Sequence, residues 1–381
     1  MRLRIACLLI PAIWYVAGCK DSTSPGRFAA ASVTAGTQHT CSLATGGAGH
    51  CWGWNLYGQL GLAHADSNPH TTPASVSGSL TFAALSAGGY HTCGLTAAGA
   101  AYCWGSGVHG QLGNGSTADD PVPAAASGGL AFTAVSAGLY HTCALATGGA
   151  AYCWGYNVAG ALGIGSADTA AHKLPAAVSG GLSFQAVSAG GYHTCALTAA
   201  GAAYCWGDNA DGQLGDASNA ASAVPVPVSG ALTFTAISAG GYHTCGLTSG
   251  ALVYCWGSNS YGELGTGTTS SSTRPEPLPG GLTFAAVSAG LLHTCGVTTQ
   301  GAAYCWGYND AGQLGNGSAA NDSLPVAVGG SLRFSAISAG GYHSCALTAS
   351  GAVYCWGYGQ FGQIGNGSQN TVYVPVLTSS P

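Results

Sequence analysis

Hydrophobic and polar positions along this chain form short runs, never long stripes. Residues 232–240 read LTFTAISAG, with β-branched and aromatic side chains bounded by glycine. HTCGLT (243–248) and LVYCW (252–256) are two further strand-like runs, and PVPV (225–228) is a fourth. Proline cannot donate to a ladder, so the last belongs on a sheet edge. No segment shows apolar positions at helical spacing over a useful length.

The same order of runs returns. HTC and its variants place a first cysteine at Cys41, Cys93, Cys143, Cys195, Cys245, Cys295 and Cys345, in steps of 52, 50, 52, 50, 50 and 50 residues. A second cysteine follows ten positions later, at Cys51, Cys103, Cys153, Cys205, Cys255, Cys305 and Cys355. Four short strands per repeat of about 50 residues, seven times over, predict an all-β fold: a seven-bladed β-propeller with four-stranded antiparallel blades. It is expected to occupy residues 28–378. An open edge would leave backbone groups unpaired. One way to close the ring is a seam, in which VYVPVLT (372–378) returns to pair with the opening strand RFAAASV (27–33). The alternative is that each repeat is one blade and the ends abut.

Composition changes the picture at the N-terminus. MRLR and the apolar IACLLIPAIWYVAG that follows form a secretion signal over residues 1–18. It is too short to span a bilayer comfortably. Val16-Ala17-Gly18-Cys19 resembles a bacterial lipobox, which makes Cys19 the expected lipidated residue of a mature chain. Residues 19–27 read as a polar tether. Only 5% of the chain is charged and 64 residues are glycine, which recurs at fixed offsets as turns do. Without the leader, the five remaining Lys and Arg stand against twelve Asp and Glu, a net charge of 5 − 12 = −7. Nucleic-acid binding needs clustered basic residues, and none occur here.

Hairpin arithmetic decides the cysteines. A three-residue loop at Ala199-Ala200-Gly201 sets Cys195 opposite Cys205. Such a loop wants a left-handed third residue, hence glycine. Glycine stands there at Gly47, Gly99, Gly149, Gly201, Gly301 and Gly351, whereas the fifth repeat has Ser249-Gly250-Ala251. Opposed cysteines can bridge. Zinc hooks and redox pairs use shorter spacings, and an exported chain enters an oxidising compartment. Seven bridges within hairpins are therefore expected. His39, His91, His141, His193, His243, His293 and His343 precede each first cysteine by two, once per repeat. The expectation is a buried histidine bonded to a backbone carbonyl rather than a ring of ligands. The repeated tryptophans, Trp52 to Trp356, read as packing between blades, with carbohydrate stacking as the alternative.

SAGGYHTCALTAAGAAYCWGDNADGQLG, ending at Gly215, resembles the repeat of the regulator-of-chromosome-condensation family. Gly-Gln-Leu-Gly stands at 58–61, 110–113, 212–215 and 312–315, with variants at 160–163, 262–265 and 362–365. The likeness covers about residues 28–377. It implies a seven-bladed propeller, and the paired cysteines and lipobox suit a bacterial exported lipoprotein member. The founding eukaryotic member is a nucleotide-exchange factor on chromatin, a role that fits neither the charge nor the leader. Another relative is a secreted bacterial inhibitor of β-lactamases.

Carboxylates are scattered singly and no catalytic motif occurs, so no catalytic residue, metal ligand or cofactor is assigned. Loop positions after Trp-Gly and before the next glycine vary between repeats and share one place, so they should line one rim. They supply candidate partner-binding residues Trp54, Tyr57, His109, Tyr156, Asp208, Asp211, Tyr261, Tyr308, Tyr358 and Phe361. The reading is a non-enzymatic scaffold at the cell envelope. It binds a protein partner, touches membrane only through its lipid and binds no nucleic acid. The alternatives are an inhibitor of a specific extracellular enzyme and a glycan-binding propeller.

Overall fold

A computed structural model describes residues 29–381. The leader, the lipobox and Cys19 lie outside the described residues. The described chain forms seven four-stranded antiparallel sheets, each drawn from one repeat in sequence order. In the first blade these are β1 (Ala30–Ala35), β2 (His39–Ala44), β3 (Gly49–Asn55) and β4 (Asp66–Ser75). The expected strands of the fifth repeat appear at Phe234–Ala239, His243–Thr248 and Val253–Gly257, and the proline run lies in the strand Ser222–Pro227 of the repeat before.

First strands lie innermost, each against the first strand of the next blade, around an axial space of about 90 Å³ lined by Ala-Gly pairs. Glycine is required there. A Cβ on Gly36, Gly88, Gly138, Gly190, Gly240, Gly290 or Gly340 would collide with the carbonyl of the equivalent glycine in the next blade. The proline-bearing fourth strands are outermost, where a missing N–H costs no ladder bond. Apolar packing is shared between blades: Trp52 of blade one buries against Cys345, Leu347, Cys355 and Ile364 of blade seven, and the pattern repeats around the ring.

The seam expectation is wrong. The last strand, Val372–Leu377, pairs with its own neighbour Val353–Gly357, as Tyr354↔Leu377 and Gly357↔Val372. The loop 358–371 folds back along the blade and lays it there as the fourth strand, as in every other repeat. Ends meet by the joints that link every other pair of blades. The Ala30 N–H donates to the Gly351 carbonyl at 2.9 Å, as Phe82 does to Gly47 at 2.8 Å. The Gly367 N–H reaches the Thr71 carbonyl at 2.8 Å.

All seven hairpin bridges are present, from Cys41–Cys51 to Cys345–Cys355, with Cα atoms 4.0–4.1 Å apart. Every bridged cysteine is fully buried. Seven disulfides suit folding in an oxidising, exported environment. The turn glycines take positive φ as expected, and Ala251, which replaces one, is forced to φ 62°. An L-residue there costs about 1 kcal/mol. Ala251→Gly is expected to raise Tm by about 1–2 °C. Calorimetry showing a lower Tm would refute the strain.

Candidate partner-binding face

A polar chain running between blades frames the face. His39 Nε2 meets Thr92 Oγ1 of the next blade at 2.9 Å, and His193 meets Thr244 at 2.8 Å. His343 meets Thr40 at 2.7 Å and so completes the circle across the chain ends. The threonine hydroxyl donates onward to a carbonyl, Thr92 to Gln59 and Thr244 to Gln213, so it must accept from the histidine. Each such ring is therefore a neutral Nε2–H tautomer. Several of these carbonyls also accept an indole N–H, as Gln213 does from Trp256 at 3.0 Å.

The expected partner of the histidines was a backbone carbonyl. The observed partner is a hydroxyl of the neighbouring blade, with the carbonyl one step further on. Desolvation holds the seven imidazoles at pKa values of about 3, or about 4 for His141 and His243. They are neutral joints of the ring. The seven repeated tryptophans, Trp52 to Trp356, are wholly buried, which removes them as carbohydrate platforms.

The residue before each histidine emerges at one mouth of the ring: Gln38, Tyr90, Tyr140, Tyr192, Tyr242, Leu292 and Tyr342. Its carbonyl accepts from the residue after Trp-Gly in every blade, as in Trp54 N–H to Gln38 and Tyr358 N–H to Tyr342, at 2.9–3.0 Å. This bond gathers the expected rim residues around five central tyrosines. Ring centroids run from Tyr342 to Tyr358 (6.4 Å), Phe361 (5.9 Å), Trp54 (5.3 Å), Tyr57 (5.7 Å) and Tyr90 (5.7 Å). They continue to Tyr140 (6.0 Å), Tyr192 (5.7 Å) and Tyr242 (6.0 Å). His109 and Tyr156 join at Tyr140, 4.6 Å from each other. Such spacings are those of interacting aromatic pairs. Leu292 breaks the arc, and Tyr261 and Tyr308 pair beside it at 4.8 Å.

Most of these rings are half-buried, so they are held yet open to a ligand. Tyr57, Tyr90, His109 and Tyr140, with Asp119, line a recess of about 350 Å³. Burial, then the negative charge Tyr140 would carry, holds Tyr90, Tyr192 and Tyr242 above the ordinary tyrosine pKa, so their hydroxyls stay neutral.

Charge on this side is acidic. Tyr308 donates to Asp310 at 3.0 Å, and Asp208 and Asp211 lie close enough to Tyr242 to raise its pKa. Burial and then Asp208 push Asp211 upward. Asp208 is braced by the Gln213 amide at 2.9 Å. Among the described residues the basic side chains are Lys173 and Arg274, on fourth strands, and Arg333, beside the hairpin turn at Gly301. The five tyrosines escaped the sequence reading. Their signal was there, in the position before each histidine, but that position looked like part of the repeat's frame.

A family model described as the RCC1-like domain matches residues 121–380, more than half of the chain. The chain belongs to the RCC1-like domain family. Models of the regulator of chromosome condensation (RCC1) repeat match residues 47–95 and 82–111 as well. The ultraviolet-B receptor UVR8 of Arabidopsis thaliana is 38% identical over 99 residues, 26% of this chain and 22% of the receptor. The matched stretch is thus well short of that relative's length. Human WBSCR16 superposes with a TM-score of 0.79 at 20% identity, over 87% of this chain and 94% of that one. Prp20p of Saccharomyces cerevisiae gives 0.78 at 23%, over 93% and 88%. At these identities the two structures share the RCC1-like fold with this chain.

Proposed function

We propose that this RCC1-like propeller is a non-catalytic scaffold of the bacterial cell envelope that binds a protein partner through its tyrosine face. The continuous aromatic arc from Tyr342 to Tyr242 carries the reading. Half-exposed aromatic clusters of this extent mark interaction surfaces, and Tyr and Trp dominate interface hot spots. The acids among the rings favour a partner with Lys or Arg opposite them, and such pairing sets association rate and salt dependence. Yeast Prp20p binds Gsp1p and histones. Here the acidic charge and the disulfides favour a different, extracytoplasmic protein.

A pull-down from envelope extract tests the reading. The wild-type ring should enrich a protein that Trp54→Ala with Tyr140→Ala loses and that Ser249→Arg, on the hairpin side, keeps. Equal capture by all three proteins refutes it. Specific binding on a glycan array, lost in the same double variant, would favour the glycan reading instead.

The anchor is part of the proposal. Cys19→Ala should leave the membrane fraction and lose its acyl chain by mass spectrometry. A variant that stays in that fraction unchanged disproves the anchor.

A further inference from the structure

The steps of 52 residues fall in the first and third repeats, and the extra residues enter just before the fourth strand. The buried asparagine after Trp-Gly fixes the correspondence between blades. Its amide donates to the carbonyl nine residues on: His64, Ser166, Ser218, Thr268 and Ser318, at 2.9–3.1 Å. That place holds serine or threonine in four of these blades and histidine in the first. The longer repeats then bring Asp66 with His70, and Asp168 with His172. In blade one His64 completes a triplet.

The three side chains converge. His64 Nε2 stands 3.1 Å from Asp66 Oδ2, and His70 Nε2 stands 3.2 Å from the same oxygen. One ligand-type atom from each residue lies within 4.8 Å of the others. Two ligands bound about 2.0–2.1 Å from a tetrahedral metal are themselves about 3.3 Å apart, so little movement separates this arrangement from a coordination sphere. His64 Nδ1 donates to the Leu62 carbonyl at 3.0 Å. That bond aims His64 Nε2 at the Asp66 carboxylate, on the side His70 Nε2 also faces. The carboxylate is itself held, by the Asn68 N–H at 2.9 Å and the Asn55 amide at 3.4 Å. A histidine whose second nitrogen bonds a backbone carbonyl, beside a braced carboxylate, is the outer shell that metal sites use.

We propose that His64, Asp66 and His70 form a two-histidine, one-carboxylate site for a divalent transition-metal ion of the zinc class. Three protein ligands leave a coordination position open to water or to a partner's side chain. The site also sits where the chain ends meet. Gly362 of the last blade packs against the His70 carbonyl, and Gly367 bonds Thr71. A bound ion therefore stiffens the strand on which the final blade docks.

Titration calorimetry of the full chain with zinc chloride, at neutral pH in a non-chelating buffer, tests the site. One zinc per chain is expected, with a rise in Tm. His64→Ala, Asp66→Asn and His70→Ala should each weaken binding by about 100-fold or more. His172→Ala, at the incomplete pair of blade three, should leave it unchanged. His64 is exposed, so its replacement spares the fold and that comparison alone decides. Zinc bound no more tightly by wild type than by His64→Ala, or weakened as much by His172→Ala, overturns the site.

Discussion

Acidification from pH 7 is expected to unfold the ring in one cooperative step centred near pH 5, with uptake of about seven protons. Free histidine titrates near 6.5. The seven joint histidines titrate near 3 to 4 while the ring is folded. Between those values the unfolded chain binds protons that the native ring refuses, so stability rises with pH there and is lost as pH falls. Full stability is present above about pH 6.5. At pH 5 each histidine costs about 2 kcal/mol, and seven cost about 14 kcal/mol, the size of a whole domain's stability. Near-UV circular dichroism against pH, with denaturant midpoints at each pH, measures the linkage. A proton uptake of one or two would show that the histidines are not buried neutral joints.

Removing the bridges should have an effect of similar size. Each closes a hairpin with cysteines ten residues apart, which the loop-entropy account makes worth about 2.7 kcal/mol. Losing one bridge, as in Cys195→Ala with Cys205→Ala, is expected to lower Tm by about 4 °C. Losing all seven sums to about 19 kcal/mol, more than a domain of ordinary stability holds. The fully substituted chain should show no near-UV signal and should be digested along its length by protease. Because every bridged cysteine is buried, reductant should attack the native ring only as fast as it opens. A folded, protease-resistant ring without cysteines contradicts the account.

What could be read from the residues followed the range of the interactions. The Cys195–Cys205 pairing, the Gly201 turn and the proline-edged fourth strand are local events, decided within about a dozen residues, and all appear as expected. The packing of Trp52 on blade seven was expected as well, though not its partners. The missed feature joins neighbouring repeats: His193 meets the Thr244 hydroxyl, 51 positions away. A period names the residue that recurs; it does not say which group of the next blade that residue touches. The seam failed for the same reason, since Val372–Leu377 could pair within its blade or across the joint and the pattern of alternation serves both. The rim residues were found because they depart from the repeat. Tyr90, Tyr140, Tyr192, Tyr242 and Tyr342 stayed hidden by recurring.

Photo-crosslinking tests the claim of a partner-binding face most directly. A benzoylphenylalanine at Tyr140, in the middle of the arc, and another at Ser249, on the hairpin side, can be activated in intact cells or in envelope extract. The account predicts one dominant crosslinked protein at Tyr140, diminished by high salt, and none at Ser249. Crosslinks at Ser249 with none at Tyr140 would contradict it.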